Sequence, residues 1–110
     1  MKKLLFSLFL IFVLASVCWA DSYEAVTIDN TAGGVALTAA TYGRARYAMC
    51  RLEDAEIRYT KDGSTAPTAL IGMLLEPFEF IILEGTSEIR NFRGFRTTGV
   101  SGSLKCFYMD

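Results

Sequence analysis

The sequence predicts an all-β chain: one small β-sandwich or barrel of about seven short strands behind an N-terminal export signal. Three observations carry this. Beyond residue 20 no segment holds a helical period for more than about two turns, whereas β-branched and aromatic runs recur. Turn signals rich in Gly, Pro, Asn and Asp separate those runs at the spacing of about eight to twelve residues typical of sandwiches. The chain has 110 residues, 52% of them hydrophobic and 13% aromatic, enough for a single core and too apolar for disorder.

Residues 1–20 stand apart from the rest. Met1, Lys2 and Lys3 form a basic start, Leu4 to Val17 are apolar except for Ser7 and Ser16, and Cys18 and Ala20 put small residues where a signal peptidase reads. Cleavage after Ala20 is expected, leaving residues 21–110 as the β-sandwich domain, secreted to a periplasmic or extracellular location and free of the membrane. A retained anchor is the rival, but residues 4–20 fall at or below the roughly 17–25 residues of a spanning helix. A lipid on Cys18 is opposed by the bulk of Val17. Removing Lys2 and Lys3 from the 11 Lys and Arg leaves nine cations against 12 acids, so no dense basic face for nucleic acid is expected.

In chain order, the first strand is expected over 23–28, followed by a turn over 29–34 whose Gly33 and Gly34 accept positive φ. A weaker strand is expected over 35–38. Residues 45–52 alternate Ala45, Tyr47 and Met49 against Arg46, Ala48 and Cys50, and Glu53-Asp54 ends the run. Residues 57–60 lead into Lys61-Asp62-Gly63-Ser64, where Asp-Gly marks a tight turn. Residues 65–77 then read as a long irregular excursion. The most apolar strand is expected over 78–83, with both faces at least partly covered because Phe78, Phe80 and Ile82 alternate with Glu79, Ile81 and Leu83. Gly85-Thr86-Ser87 turns it, and residues 92–97 and 103–108 close the chain as two further strands.

Export leaves Cys50 and Cys106, each inside a strand-like run and neither in a C-x-x-C spacing. This favours a disulfide between strands over zinc or redox chemistry; two buried free thiols are the alternative.

Evidence for catalysis is thin. The chain has no His, which removes the commonest general base and metal ligand, so no enzyme activity and no cofactor are expected. Gly99-Val100-Ser101-Gly102-Ser103 has Ser where a nucleophile elbow needs its last Gly, and reads as a hairpin loop. Glu53, Asp54 and Glu56 lack the spacing of a calcium loop and read as a solvated turn.

The expected interaction surface combines the 65–77 stretch with the strand segment over 92–96. Leu70, Ile71, Met73, Leu74 and Leu75 are more apolar than a solvated loop should expose, so either the loop folds back over the sandwich or a partner covers it. Phe92, Arg93 and Arg96 interleave aromatics and cations beside it and would form the rim, since Arg is enriched at interfaces. The alternative is ordinary strand alternation, with Phe92 or Phe95 in the core and the arginines paired to Glu53, Glu56, Glu84 or Glu88.

Ile57-Arg58-Tyr59-Thr60-Lys61-Asp62-Gly63-Ser64 with Pro67-Thr68 resembles a stretch of the chitobiase/β-hexosaminidase C-terminal-like domains, immunoglobulin-like sandwiches appended to secreted bacterial enzymes. The likeness spans residues 55–108, with Ala66 inserted before Pro67. The chain after residue 20 is also similar to small proteins encoded among tailed-phage structural genes, through Ala45-Arg46-Tyr47-Ala48, Ile57-Arg58-Tyr59 and Asn91-Phe92-Arg93 with Phe95-Arg96-Thr97. Both resemblances imply a non-catalytic sandwich, immunoglobulin-like or jelly-roll-like. The expected role is a structural or interaction module that forms a homo-oligomer or joins a larger surface or virion-like assembly. A carbohydrate-contacting accessory domain is the second expectation.

Overall fold

Alternating apolar residues produce strands where one parity can be buried, and the computed structural model, which describes residues 21–110, shows seven of them. The expected signal peptide lies outside the described residues. The strands are Ser22–Ile28 (β1), Tyr47–Leu52 (β2), Ile57–Thr60 (β3), Met73–Leu75 (β4), Phe80–Glu84 (β5), Arg93–Arg96 (β6) and Gly102–Met109 (β7). Two short helices interrupt them, Ala39–Tyr42 (α1) and Thr86–Asn91 (α2).

All pairings are antiparallel. One sheet has the order β1-β7-β2-β5, the other β4-β3-β6, and together they make a two-layer all-β sandwich. The closing strand lies between the first two, whereas the constant immunoglobulin arrangement sets its first and second strands side by side.

Six strands fall where alternation places them; the seventh does not. Residues 35–38 make a single bridge, Val35 to Gly94, rather than a strand. The missing strand is instead β4, inside the stretch expected to be irregular, where Met73 and Leu75 lie opposite Tyr59 and Ile57. Three residues at a sheet edge are too few to show a period, so only the pairing with β3 defines this strand. Gly72 permits the approach: its φ is 119°, and a Cβ there would stand 2.9 Å from the Tyr59 carbonyl oxygen.

The core forms between the inward parities of the two sheets. Val26, Ile28, Ala48, Cys50, Leu52, Leu83, Leu104, Cys106 and Tyr108 from the larger sheet meet Ile57, Leu75 and Phe92 from the smaller layer. α2 adds Ile89, fully buried, which is why this segment coils instead of turning tightly. Gly94 lets the sheets close, since its missing Cβ would stand 3.1 Å from Ile28 Cδ1.

Cys50 and Cys106 are bonded to each other. They sit directly opposite on β2 and β7, both fully buried, and link positions 56 residues apart within one sheet.

Candidate functional site

The parity that buries one face of the four-stranded sheet sends the other outward, and among the described residues no layer covers that second face. Its residues line up by register. Tyr23, Phe107, Met49 and Ile82 stand side by side, one from each strand, as a continuous apolar row across the sheet. Two residues along, the next row runs Ala25, Lys105, Arg51 and Phe80; on the other side of the apolar row stand Met109, Tyr47 and Glu84. Phe78, just before β5, extends the apolar surface under the Arg51 guanidinium, which lies 5.6 Å from its ring centroid.

Seven large apolar side chains on this face are between 42% and 67% exposed: Tyr23, Tyr47, Met49, Phe78, Phe80, Ile82 and Phe107. Tyr23, Met49, Phe80 and Phe107, with Arg51 and Lys105, line a shallow hollow of about 220 Å³ at its centre. The strand expected to be at least partly covered on both faces has one parity buried or half-buried and the other mostly exposed. Leu83 is buried and Ile81 half-buried, but Phe78, Phe80 and Ile82 are more than half exposed. Alternation in an apolar strand shows that two faces exist, and only the stacking of layers shows which is closed.

The charges around the patch are unevenly committed. Lys105 Nζ lies 3.2 Å from Glu53 Oε2, and the hydrogen bond to that carboxylate raises the Lys105 pKa above its usual value. Among the described residues, neither Arg51 nor Glu84 takes part in an ion pair. The Glu84 amide donates to Glu88 Oε2 at 2.7 Å, and the Glu84 side chain is exposed on the same parity as Phe80 and Ile82.

The surface expected from residues 65–77 and the sixth strand is divided by the fold. Leu75 and Phe92 belong to the core, 3% and 0% exposed, because the parities of β4 and of the α2–β6 junction turn them inward; both are corrections to that expectation. Leu70, Ile71, Met73 and Leu74 are exposed along the β4 edge. Arg93 and Arg96 lie on β6, on the far side of β3 from that edge, so leucines and arginines do not form one rim. Arg93 Nη1 donates to the carbonyls of Arg90 and Phe92, and Arg96 Nη1 to Ser101 Oγ. Arg58 does what the sequence did not reveal. Its guanidinium donates to the carbonyls of Ala69 and Gly72 at 3.1 and 3.0 Å and holds the 69–72 segment against β3.

A polar cleft of about 170 Å³ is lined by Gly33, Gly63, Ser64, Thr65, Ala66, Asn91 and Arg93, without a carboxylate. Of the acidic cluster, Glu53 pairs with Lys105 and Glu56 accepts the Thr97 hydroxyl at 2.7 Å; among the described residues no group of ligands could hold a metal. No described helix is long and apolar enough to cross a membrane. Compared with family models, with curated proteins and with solved structures, the chain matches none of them.

Proposed function

We propose that the chain is an exported, non-catalytic interaction module that works by presenting the outer face of its four-stranded sheet to a protein surface, its own or that of a larger virion-like or cell-surface assembly. The observation that carries this reading is the apolar row Tyr23, Phe107, Met49 and Ile82, because monomeric proteins rarely leave so many adjoining large apolar side chains in water. An apolar centre with charged residues at its margin is the anatomy of an interface. Export is supported by the disulfide, which persists in oxidising compartments, and by the leader-like residues 1–20.

The carbohydrate reading draws on one feature, the aromatic hollow between Tyr23, Phe80 and Phe107. Beside the Tyr23 hydroxyl its polar groups are the cations Arg51 and Lys105, which suits an acidic sugar.

The test is fractionation of the producing cell with the double variant Phe80→Ser, Phe107→Ser. Both side chains are exposed, so the melting temperature stays close to that of the wild type. The wild type is expected in a high-mass or envelope-associated fraction and the variant in the low-mass fraction; identical distributions overturn the reading. Intact mass of the isolated protein tests export, with a chain beginning at Asp21 expected and one retaining Met1 refuting it.

A further inference from the structure

We propose that the occupant of the open sheet face is a second copy of the same chain, docked face to face about a two-fold axis, with Arg51 of each copy on Glu84 of the other. This rests on reading the face as an interaction surface and names what covers it.

Area is the first argument. Seven side chains, each about half exposed, with about 200 Å² for a large apolar residue, leave on the order of 700 Å² of apolar surface on one face. That is close to the roughly 800 Å² per partner of a stable, specific interface.

Charge placement is the second, and it selects the partner. Met49 and Ile82 are directly opposite in the β2–β5 pair. Arg51 lies two residues to one side of them on β2, and Glu84 two residues to the other side on β5. The two charges, neither in an ion pair among the described residues, are thus equidistant from the apolar row and opposite in sign. A two-fold axis in the interface plane, passing through the Met49–Ile82 pair and running close to the row, exchanges its two sides. It carries Arg51 onto the partner's Glu84 and Glu84 onto the partner's Arg51 in one operation. With strands about 4.8 Å apart and a rise of about 3.4 Å per residue, that axis crosses the two sets of strands at about 40°, near the roughly 30° of aligned sheet packing. A two-fold contact is self-complementary by construction, and a face carrying both charges symmetrically about an apolar line meets that condition with its own copy.

The experiment is sedimentation velocity on the protein as its cell delivers it, disulfide intact, for the wild type, Arg51→Glu, Glu84→Arg and the double swap Arg51→Glu, Glu84→Arg. The wild type is expected at the mass of a dimer. Each single swap sets like charges against each other twice and weakens the dimer about 100-fold or more, and the double swap recovers it to within about tenfold of wild type. Both positions are exposed, so all four proteins are expected to melt together. A wild-type monomer up to about 100 μM, a dimer indifferent to the single swaps, or a double swap that stays monomeric overturns the proposal. A monomeric wild type whose cellular fractionation still depends on Phe80 and Phe107 leaves the module reading standing with another partner. If that fractionation is also indifferent, both readings fall.

Discussion

Tyr108 and Glu24 meet at one end of the sandwich, where the phenol on β7 donates its hydroxyl to Glu24 Oε1 on β1. The same oxygen accepts the Thr38 amide at 3.0 Å, so one carboxylate ties the first strand, the last strand and the entry to α1 together. Tyr42 packs edge-on against the Tyr108 ring at 6.0 Å and closes this end.

Burial first, and the Glu24 carboxylate second, push the Tyr108 pKa well above its ordinary value of 10.0. A folded-state pKa above the unfolded one contributes stability that is complete below pH 10 and is lost as pH rises beyond it. A difference titration at 295 nm between wild type and Tyr108→Phe should show no phenol ionising near pH 10 while the fold persists. The variant should lose about 1–2 kcal/mol in chemical denaturation, because Glu24 keeps the Thr38 amide but loses its hydroxyl donor.

Reducing Cys50–Cys106 opens a loop of 56 residues and should lower stability by about 4 kcal/mol in the chain-entropy account. Denaturation midpoints of the oxidised and reduced proteins measure this. Equal midpoints would show that neighbouring-strand pairing, already fixed by β2 and β7, leaves the bond little to add.

Asp62 accepts the Thr65 hydroxyl at 2.6 Å and the amides of Thr65 and Ser64 at 2.9 and 3.1 Å. The Thr65 hydroxyl is the largest influence lowering its pKa from 3.8 to about 2. A depressed carboxylate contributes stability present above pH 3.8 and lost as pH falls toward about 2. Carboxyl-carbon NMR should place the Asp62 titration near 2, and the Ser64 and Thr65 amides should exchange faster through the same window. A titration near 3.8 refutes the turn geometry.

Arg58→Met keeps the aliphatic stem and removes both hydrogen bonds to the Ala69 and Gly72 carbonyls. Limited proteolysis should then cut within 69–72 at least several-fold faster, while the core melts within a few degrees of the wild type. Cleavage at unchanged rate would show that β4 pairing alone holds the loop.

The contrast between Phe92 and Phe80 shows why the fold was more legible in the sequence than the site. Both sit in strand-like runs with charged neighbours, yet Phe92 is fully buried and Phe80 is 62% exposed. Hydrophobicity and spacing treat them alike. Leu75 and Leu74 differ in the same way, 3% and 42% exposed one residue apart, because a register shift of one exchanges the faces of a strand. Arg58 as a loop clamp left no sequence signal, since it depends on carbonyls 11 and 14 residues away being brought beside β3.

What the sequence alone determined is local: strand after strand by alternation, the turn at Asp62-Gly63 by its chemistry, and two cysteines in runs that a cross-strand bond could join. The tertiary structure decided everything that needs a second layer or a distant partner. It placed β7 between β1 and β2, made a strand of Met73–Leu75, and stacked the smaller sheet on one side of the larger. A strand pattern of period two states that a chain has two faces, and only non-local packing determines which face meets another sheet. For that reason the row Tyr23, Phe107, Met49 and Ile82, drawn from four strands spread over residues 22–109, exists as a surface only in the folded molecule.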